Sequence, residues 1–119
     1  MIRAIFLLFL AICSAPLQAQ QVSSAQGAVL RGLDKLDGSM TDIELAIGER
    51  FDYGRLGIIL GDCRYPAGNP AGDAFAYLTI YESGIEDPVF QGWMIAAAPA
   101  LNALDNARYD VWVLRCITE

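Results

Sequence analysis

Turn-forming residues divide this chain into short segments, and their spacing limits the folds available to it more than any other feature. The turns are Asp37-Gly38, Gly48-Glu49, the loop Tyr65–Asp73, Ser83-Gly84 and Glu86–Pro88. Between them apolar and polar residues alternate, as where Ile43 and Leu45 flank Glu44, which is the period of a half-buried strand. About seven short strands in one chain predict an all-β, single-domain β-sandwich or small barrel.

The strand boundaries follow from these turns. The predicted strands are 28–36, 39–47, 50–53, 56–64, 74–82, 89–97 and 109–116, with one short helical turn at 100–104 after Pro99. Gly57 and Gly61 lie inside the fourth strand and indicate a bulge or a close neighbour. In the last strand, alternation places Tyr109, Val111 and Val113 on one face and Asp110, Trp112, Leu114 and Cys116 on the other.

Residues 1–19 have the layout of a secretory signal peptide. Arg3 is the one charge, Ala4–Cys13 is an uncharged apolar run, and Ala19 provides a small residue for cleavage. We therefore expect cleavage after Ala19 and a periplasmic product. Two alternatives remain. Leu10–Cys13 resembles a lipobox with an unusual Ile12, and the apolar run could act as an N-terminal membrane anchor although it is shorter than the about 20 residues that span a bilayer.

The remaining chain divides into two parts. Residues 20–27 are polar and predict a flexible arm, and residues 28–119 form the β domain. Seven basic and 14 acidic residues follow the leader. This acidic balance argues against a nucleic-acid partner and against adhesion to an anionic membrane, since both need clustered Lys and Arg. We expect no stable membrane insertion once the leader is removed.

Two cysteines, Cys63 and Cys116, follow the leader, while Cys13 would leave with it. An even number in an oxidising compartment predicts a structural disulfide. Such a bond would stabilise the domain by about 4 kcal/mol in the chain-entropy model. The alternative of two free reactive thiols lacks a base, because the sequence contains no His.

Residues 92–116, GWMIAAAPALNALDNARYDVWVLRC, resemble the C-terminal signature of a family of small exported bacterial proteins catalogued as domain of unknown function 2155. VLRGLDKLDG (29–38), the G-x-x-x-x-Y-G-R-L segment (48–56) and CRYP (63–66) also fit that family's pattern. The resemblance implies export, a Cys63–Cys116 pair and no assigned activity. The family commonly has Glu-His-Pro before Tyr-Asp-Val-Trp, whereas this chain has Asp105-Asn106-Ala107, so no role of that histidine applies here.

The residues needed for the common catalytic devices are missing or scattered. Nucleophilic catalysis lacks a histidine base and a G-x-S-x-G segment. A calcium site would need oxygen ligands, but the spacing of Asp34, Asp37 and Asp42 fits no EF-hand loop. Most carboxylates lie in predicted turns, where carboxylate side chains are normally exposed to solvent. We therefore predict no enzyme, no metal and no cofactor, with a small carboxylate-based hydrolase kept as a second alternative.

The aromatic residues are the more informative candidates. An exposed platform that stacks on sugars or engages a partner protein could be formed by Trp93, Trp112, Tyr77, Tyr81, Tyr65 and Tyr109. The alternative is a packed core, with Trp112 lying against the disulfide as in many sandwiches. We expect Asp110 to be half-buried and paired with Arg55, Arg64 or Arg108.

Together these features predict a non-catalytic periplasmic envelope interaction module with a protein partner. A cell-envelope carbohydrate-binding module is the first alternative. Recognition would use an exposed strand edge or the loops Tyr65–Asp73 and Pro99–Arg108. The candidate recognition residues are Tyr65, Asn69, Asp73, Trp93, Asn102, Arg108 and Asp110.

Overall fold

A computed structural model describes residues 21–118, which form eight strands and one 3-10 turn. The strands are β1 (Val22–Ser24), β2 (Gly27–Asp34), β3 (Met40–Ala46), β4 (Arg50–Tyr53), β5 (Leu56–Pro66), β6 (Phe75–Glu82), β7 (Phe90–Ile95) and β8 (Tyr109–Ile117), and the 3-10 turn is Pro99–Leu101. All strand pairs are antiparallel. The predicted leader and residue 119 lie outside the described residues.

The strands form two sheets that pack face to face. The larger sheet has the order β1-β5-β6-β7, with β4 paired to the first half of β5, and the smaller sheet has the order β3-β2-β8. Buried apolar residues from both sheets make one core, including Leu30, Ile43, Ile58, Leu78 and Val111. The fold is therefore an all-β sandwich, as predicted, and not a closed barrel.

Strand β6 illustrates how the sequence pattern determines the layers. Ala76, Leu78 and Ile80 are buried in the core, while Phe75 and Tyr77 on the alternate face are half-buried. A strand with both faces apolar or amphipathic is covered on one side and partly covered on the other. The outer face of the larger sheet consequently carries aromatic side chains.

Residues 20–27 were predicted as a flexible arm, and that prediction is wrong for Val22–Ser24, which forms β1. Strand β4 covers only Leu56–Ile59 of β5, so the edge at Arg64–Pro66 is left open for β1. The Ala25 N–H donates to the Cys63 carbonyl at 2.7 Å and continues the pairing. Backbone hydrogen bonding thus orders a segment whose side chains carry no apolar pattern.

Both glycines singled out in β5 have the predicted roles. The register of β5 against β6 shifts between Leu60 and Asp62, which makes Gly61 the extra residue of a bulge. Gly57 lies beneath the Arg50 guanidinium, and a β-carbon at Gly57 would stand 2.2 Å from Arg50 Nη2. A side chain at Gly57 would therefore displace Arg50.

A second bulge corrects the predicted faces of β8. The register against β2 shifts between Val29 and Leu30, so that Val29 pairs with Arg115 and Leu30 with Val113. Leu114 is the extra residue, and it breaks the alternation after Val113. Cys116 therefore faces the core instead of sharing a face with Trp112.

The predicted disulfide is present and joins the two sheets. Cys63 lies in β5 and Cys116 in β8, with their Cα atoms 5.8 Å apart and a sequence separation of 53. Both residues are buried in the core. The bond therefore connects the larger sheet to the smaller one at one end of the sandwich.

Residues 96–108, which we call the strap, connect β7 to β8 along one side of the sandwich. Ile95 pairs with Phe75 at the disulfide end, and Tyr109 pairs with Asp34 at the opposite end. Because β7 and β8 are the last strands of their sheets and contact each other, the strap runs along the side where the sheets end. Leu104 of the strap is buried in the core and holds the segment in place.

Candidate functional site: a cleft between the strap and strand β8

A cleft of about 420 Å³ separates the strap from β8. Its lining residues are Pro99, Ala100 and Ala103 of the strap and Asp110, Val111 and Trp112 of β8. Asp110 supplies the one charged group of this lining. The cleft thus combines apolar walls with one carboxylate, a composition common in binding sites.

The backbone of β8 also borders the cleft. Strand β8 pairs with β2 on one side, and no described strand pairs with its other side. The Lys35 N–H donates to the Arg108 carbonyl at 2.8 Å. Since bonded pairs alternate along an antiparallel ladder, Asp110 and Trp112 bond to β2 and the backbone groups of Val111 point away from β2. Val111 is only 1% exposed, so this edge is covered, and the cleft offers a ligand the half-buried side chains of Asp110 and Trp112.

Asp110 is half-buried on the Trp112 face, as predicted, but the expected arginine partner is wrong. Arg108 pairs with Asp34 at 2.9 Å, Arg64 pairs with Asp62 at 2.9 Å, and Arg55 donates to the Ser83 carbonyl. None of the ion pairs formed by residues 21–118 includes Asp110. Its carboxylate therefore faces the cleft without a cation.

The nearest basic residue across the ladder is engaged elsewhere. Arg31 of β2 pairs in register with Trp112, yet its guanidinium holds Asp42 of β3 through two bonds of 2.7 and 3.2 Å. The hydrogen bond from Arg31 lowers the pKa of the Asp42 carboxyl from its ordinary value. This bidentate pair keeps Arg31 on the β3 side, away from Asp110.

Trp112 is not part of the core, so the interpretation in which it packs against the disulfide is wrong. Its side chain is half-buried on the outer face of the smaller sheet and lines the cleft. The bulge at Leu114 explains the difference, because it places Cys116 on the core face while Trp112 stays on the outer face.

Trp93 lies on the outer face of the larger sheet, also outside the core, and is surrounded by its own chain. The Tyr77 ring meets it edge-on, with centroids 5.3 Å apart and planes at 68°. The guanidinium carbon of Arg64 lies 4.9 Å from the centre of the Trp93 ring. One face of the indole is thus covered, and the two rings are far from coplanar, which removes the flat platform that sugar stacking requires.

A shallow groove of about 280 Å³ adjoins Trp93. Its lining residues are Val22, Arg64, Phe75, Trp93 and Ile95. Arg64 fills part of this groove and is fixed by Asp62. The groove is therefore a packed surface depression held by an ion pair.

Three of the predicted recognition residues belong to the loop after β5 and its surroundings. Tyr65 packs against the core. Asn69 closes a turn, donating its N–H to the Pro66 carbonyl at 2.9 Å. Asp73 accepts hydrogen bonds from the N–H groups of Ala74 and Ala97 at 2.8 and 2.9 Å. Asp73 thus fixes the loop to the strap through Ala97, and none of the three residues lines the cleft.

Two further candidates hold the strap. Asn102 donates its side-chain amide to the Trp93 carbonyl at 2.9 Å. Arg108 holds Asp34 through two bonds of 2.9 and 3.1 Å, and this hydrogen bonding lowers the pKa of the Asp34 carboxyl. Of the seven predicted recognition residues, only Asp110 therefore lines the cleft.

Asn106 occupies the position at which the family that this sequence resembles commonly has a histidine. Its side-chain oxygen accepts the N–H groups of Arg108 and Tyr109, both at 2.9 Å, and its amide donates to Glu82 at 3.1 Å. These bonds anchor the strap where it enters β8. In this chain the position has a structural role.

A polar surface cavity of about 460 Å³ lies at the other end of the larger sheet and contains two acids. Asp52 accepts a bond from Arg50 at 3.0 Å, and Glu82 accepts the bond from Asn106. The Asp52 side chain is 74% exposed. Both carboxylates are thus held by neighbours, an arrangement typical of surface ion pairs. Within residues 21–118, no three Cys, Asp or Glu side chains come together as a metal site.

Sequence reasoning named the loop Pro99–Arg108 as a recognition surface but did not single out Pro99, Ala100 and Ala103 within it. The shared face of Asp110 and Trp112 was readable from alternation, but the approach of the strap to that face depends on tertiary packing. The only local signal was Pro99, which begins the 3-10 turn.

Comparison with known proteins gives one match. The family model described as "Uncharacterized protein conserved in bacteria (DUF2155)" matches residues 28–116, which confirms the resemblance seen in the sequence. The match begins in β2 and ends at Cys116, so it includes the cleft and both cysteines but not β1. No curated protein and no solved structure matches the chain. The part of the chain that the structure describes contains no helix long and apolar enough to cross a membrane.

Proposed function

The chain belongs to the bacterial DUF2155 family, and we propose that it is an exported, non-catalytic module of the cell envelope that binds an extended segment of a partner protein. The binding site is the cleft between the strap and β8. The observation that carries this proposal is the cleft itself, whose apolar strap wall lies opposite the half-buried side chains of Asp110 and Trp112.

Burial of side chains in the cleft is the physical basis of the proposed binding. An extended segment lying along the cleft would turn alternate side chains into it and the others to solvent. Trp112 and the strap residues Pro99 and Ala103 would bury the side chains that enter the cleft, and this gives selectivity.

The periplasmic location is supported by two independent features. The segment 1–19 has the composition of a signal peptide. The Cys63–Cys116 bond is typical of an oxidising compartment. Both are compatible with a protein that works in the envelope of a bacterium.

The alternatives receive less support from the geometry. A carbohydrate platform would need exposed, coplanar rings, whereas Arg64 covers Trp93 and Tyr77 meets it edge-on. A hydrolase would need two poised carboxylates in one pocket, whereas Asp52 and Glu82 are already engaged by Arg50 and Asn106. We therefore propose the interaction module ahead of both.

Photo-crosslinking in intact cells tests the proposal. A photoreactive amino acid replaces Ala103 in the cleft wall, and the matched control replaces the exposed Asn69 on the loop after β5. We expect a recurrent protein adduct at Ala103 that is absent at Asn69 and is lost when Trp112→Ala is added. Identical adducts at both positions, glycan adducts alone, or no adduct at Ala103 would overturn it.

A further inference from the structure

The larger sheet contains a three-residue arrangement that the smaller sheet only partly repeats. On the larger sheet, Arg64 bonds Asp62 at 2.9 Å and lies over the Trp93 ring at 4.9 Å. Asp62, Tyr77 and Trp93 lie in one register row across β5, β6 and β7. The Arg64 guanidinium thus forms an ion pair with the Asp62 carboxylate and lies as a planar cation over the Trp93 indole at the same time.

On the smaller sheet the carboxylate and the indole are present, but no cation joins them. Asp110 and Trp112 share the outer face of β8 and both line the cleft. Arg31 is the basic residue across the ladder, and Asp42 holds it in a bidentate pair. The half-buried carboxylate of Asp110 is therefore available to pair with a cation that a ligand supplies.

We propose that the cleft selects an arginine side chain of the bound segment, an inference that rests on the proposed function. The guanidinium would bond Asp110 and stack on Trp112, while the aliphatic stem would pack on Pro99, Ala100 and Ala103. Lysine fits less well, because its ammonium neither stacks as a plane nor forms the bidentate pair.

The overall charge favours the same partner. The chain has 14 acidic and eight basic residues, so a basic segment is attracted at long range. Four of the basic residues are already held in ion pairs, namely Arg31, Arg50, Arg64 and Arg108.

Titration of the oxidised, leader-free chain with four capped pentapeptides tests the inference. The peptides share the sequence Val-Thr-Xaa-Thr-Val, in which Xaa is arginine, lysine, citrulline or norleucine. Citrulline keeps the shape of arginine and removes the charge. We expect the arginine peptide to bind at least about tenfold more tightly than the citrulline peptide, with lysine between them.

Two variants separate the cleft from general electrostatics. Asp110→Asn should reduce the arginine-to-citrulline ratio to about one, whereas Asp87→Asn, which removes an exposed turn charge, should leave the ratio unchanged. Equal binding of all four peptides would overturn the arginine selectivity and leave the proposed function standing. Absence of binding by every peptide at millimolar concentration would also overturn the selectivity, and the crosslinking at Ala103 then decides separately whether the proposed function survives.

Discussion

Trp93 and Trp112 lie on the outer faces of opposite sheets, each near a carboxylate on the same face. Arg64 links Trp93 to Asp62 within the chain, whereas Arg31 turns to Asp42 and leaves Asp110 beside Trp112 without a cation. The residue types are the same on both faces. The position of one arginine therefore distinguishes a closed structural cluster from an open site.

The two sheet edges differ in the same way. The strap bonds to β7, where Asn102 donates to the Trp93 carbonyl at 2.9 Å and Ala98 donates to the Ile95 carbonyl at 3.2 Å. Along β8 the strap leaves a cleft of about 420 Å³. One connecting segment thus bonds directly to β7 next to the closed cluster and leaves a cleft beside the side chains of the open site.

Removal of the disulfide should affect both faces at once, because Cys63 and Cys116 join the two sheets. We expect the double variant Cys63→Ala, Cys116→Ala to lose about 4 kcal/mol of the free energy of unfolding, measured by urea denaturation. A loss below about 1 kcal/mol would show that the core alone holds the sheets together.

Substitution of Trp93 should mainly affect stability, whereas substitution of Trp112 should mainly affect binding. Trp93→Ala should lower the free energy of unfolding by about 2 kcal/mol, since it removes contacts with Tyr77 and Arg64. Trp112→Ala should cost less than about 1 kcal/mol, because its ring borders a cleft, and should abolish binding of the arginine peptide. A larger loss of the free energy of unfolding for Trp112→Ala than for Trp93→Ala would contradict the distinction between the closed cluster and the open site.

Arg64 should be energetically coupled to Trp93. Arg64→Met keeps the aliphatic stem and removes the charge, so a double-mutant cycle with Trp93→Leu should give a coupling of about 1 kcal/mol. The matched control is Arg50→Met, since Arg50 pairs with the exposed Asp52, and its own cost should stay below about 0.5 kcal/mol. Zero coupling between Arg64 and Trp93 would mean that the closed cluster is only a geometric arrangement.

The ion pairs that engage the other arginines should give a modest acid sensitivity. Hydrogen bonding from Arg108 and Arg31 lowers the pKa of the Asp34 and Asp42 carboxyls in the folded protein. The unfolded chain therefore binds more protons at low pH, so this stability is complete above the ordinary aspartate pKa of about 4 and is lost as pH falls below it. Asp34→Asn should flatten the decline between about pH 5 and pH 2 in thermal unfolding experiments. An unchanged decline would show that this pair does not contribute.

Much of the fold could be predicted from the sequence, because turns and alternation are local properties. The hairpin at Asp37-Gly38 and the alternation of β6 both follow from adjacent residues. Strand β1 could not be predicted, since it depends on an edge of β5 that β4 leaves open. The face of Cys116 was also missed, because a bulge at Leu114 has no reliable local signal.

The candidate site was only partly predictable for a related reason. Alternation alone placed Asp110 and Trp112 on one face. Which arginine would approach Asp110 depended on cross-strand register, and that register pairs Arg31 with Asp42 and leaves Arg108 to Asp34. The cleft wall formed by the strap depends on the burial of Leu104 in the core and on the bond from Asn106 to Glu82. Both are tertiary contacts that a local sequence pattern does not reveal.

The most direct test of the difference between the two faces is a ¹H–¹⁵N spectrum of the two indole N–H groups during titration with the arginine peptide. Trp93 and Trp112 each give one indole signal, assigned with the Trp93→Phe and Trp112→Phe variants. We predict that the Trp112 signal shifts progressively until the peptide site is saturated, while the Trp93 signal stays in place. Asp110→Asn should abolish the shift of Trp112. A shift of Trp93 with Trp112 unmoved would contradict the account and place recognition on the larger sheet.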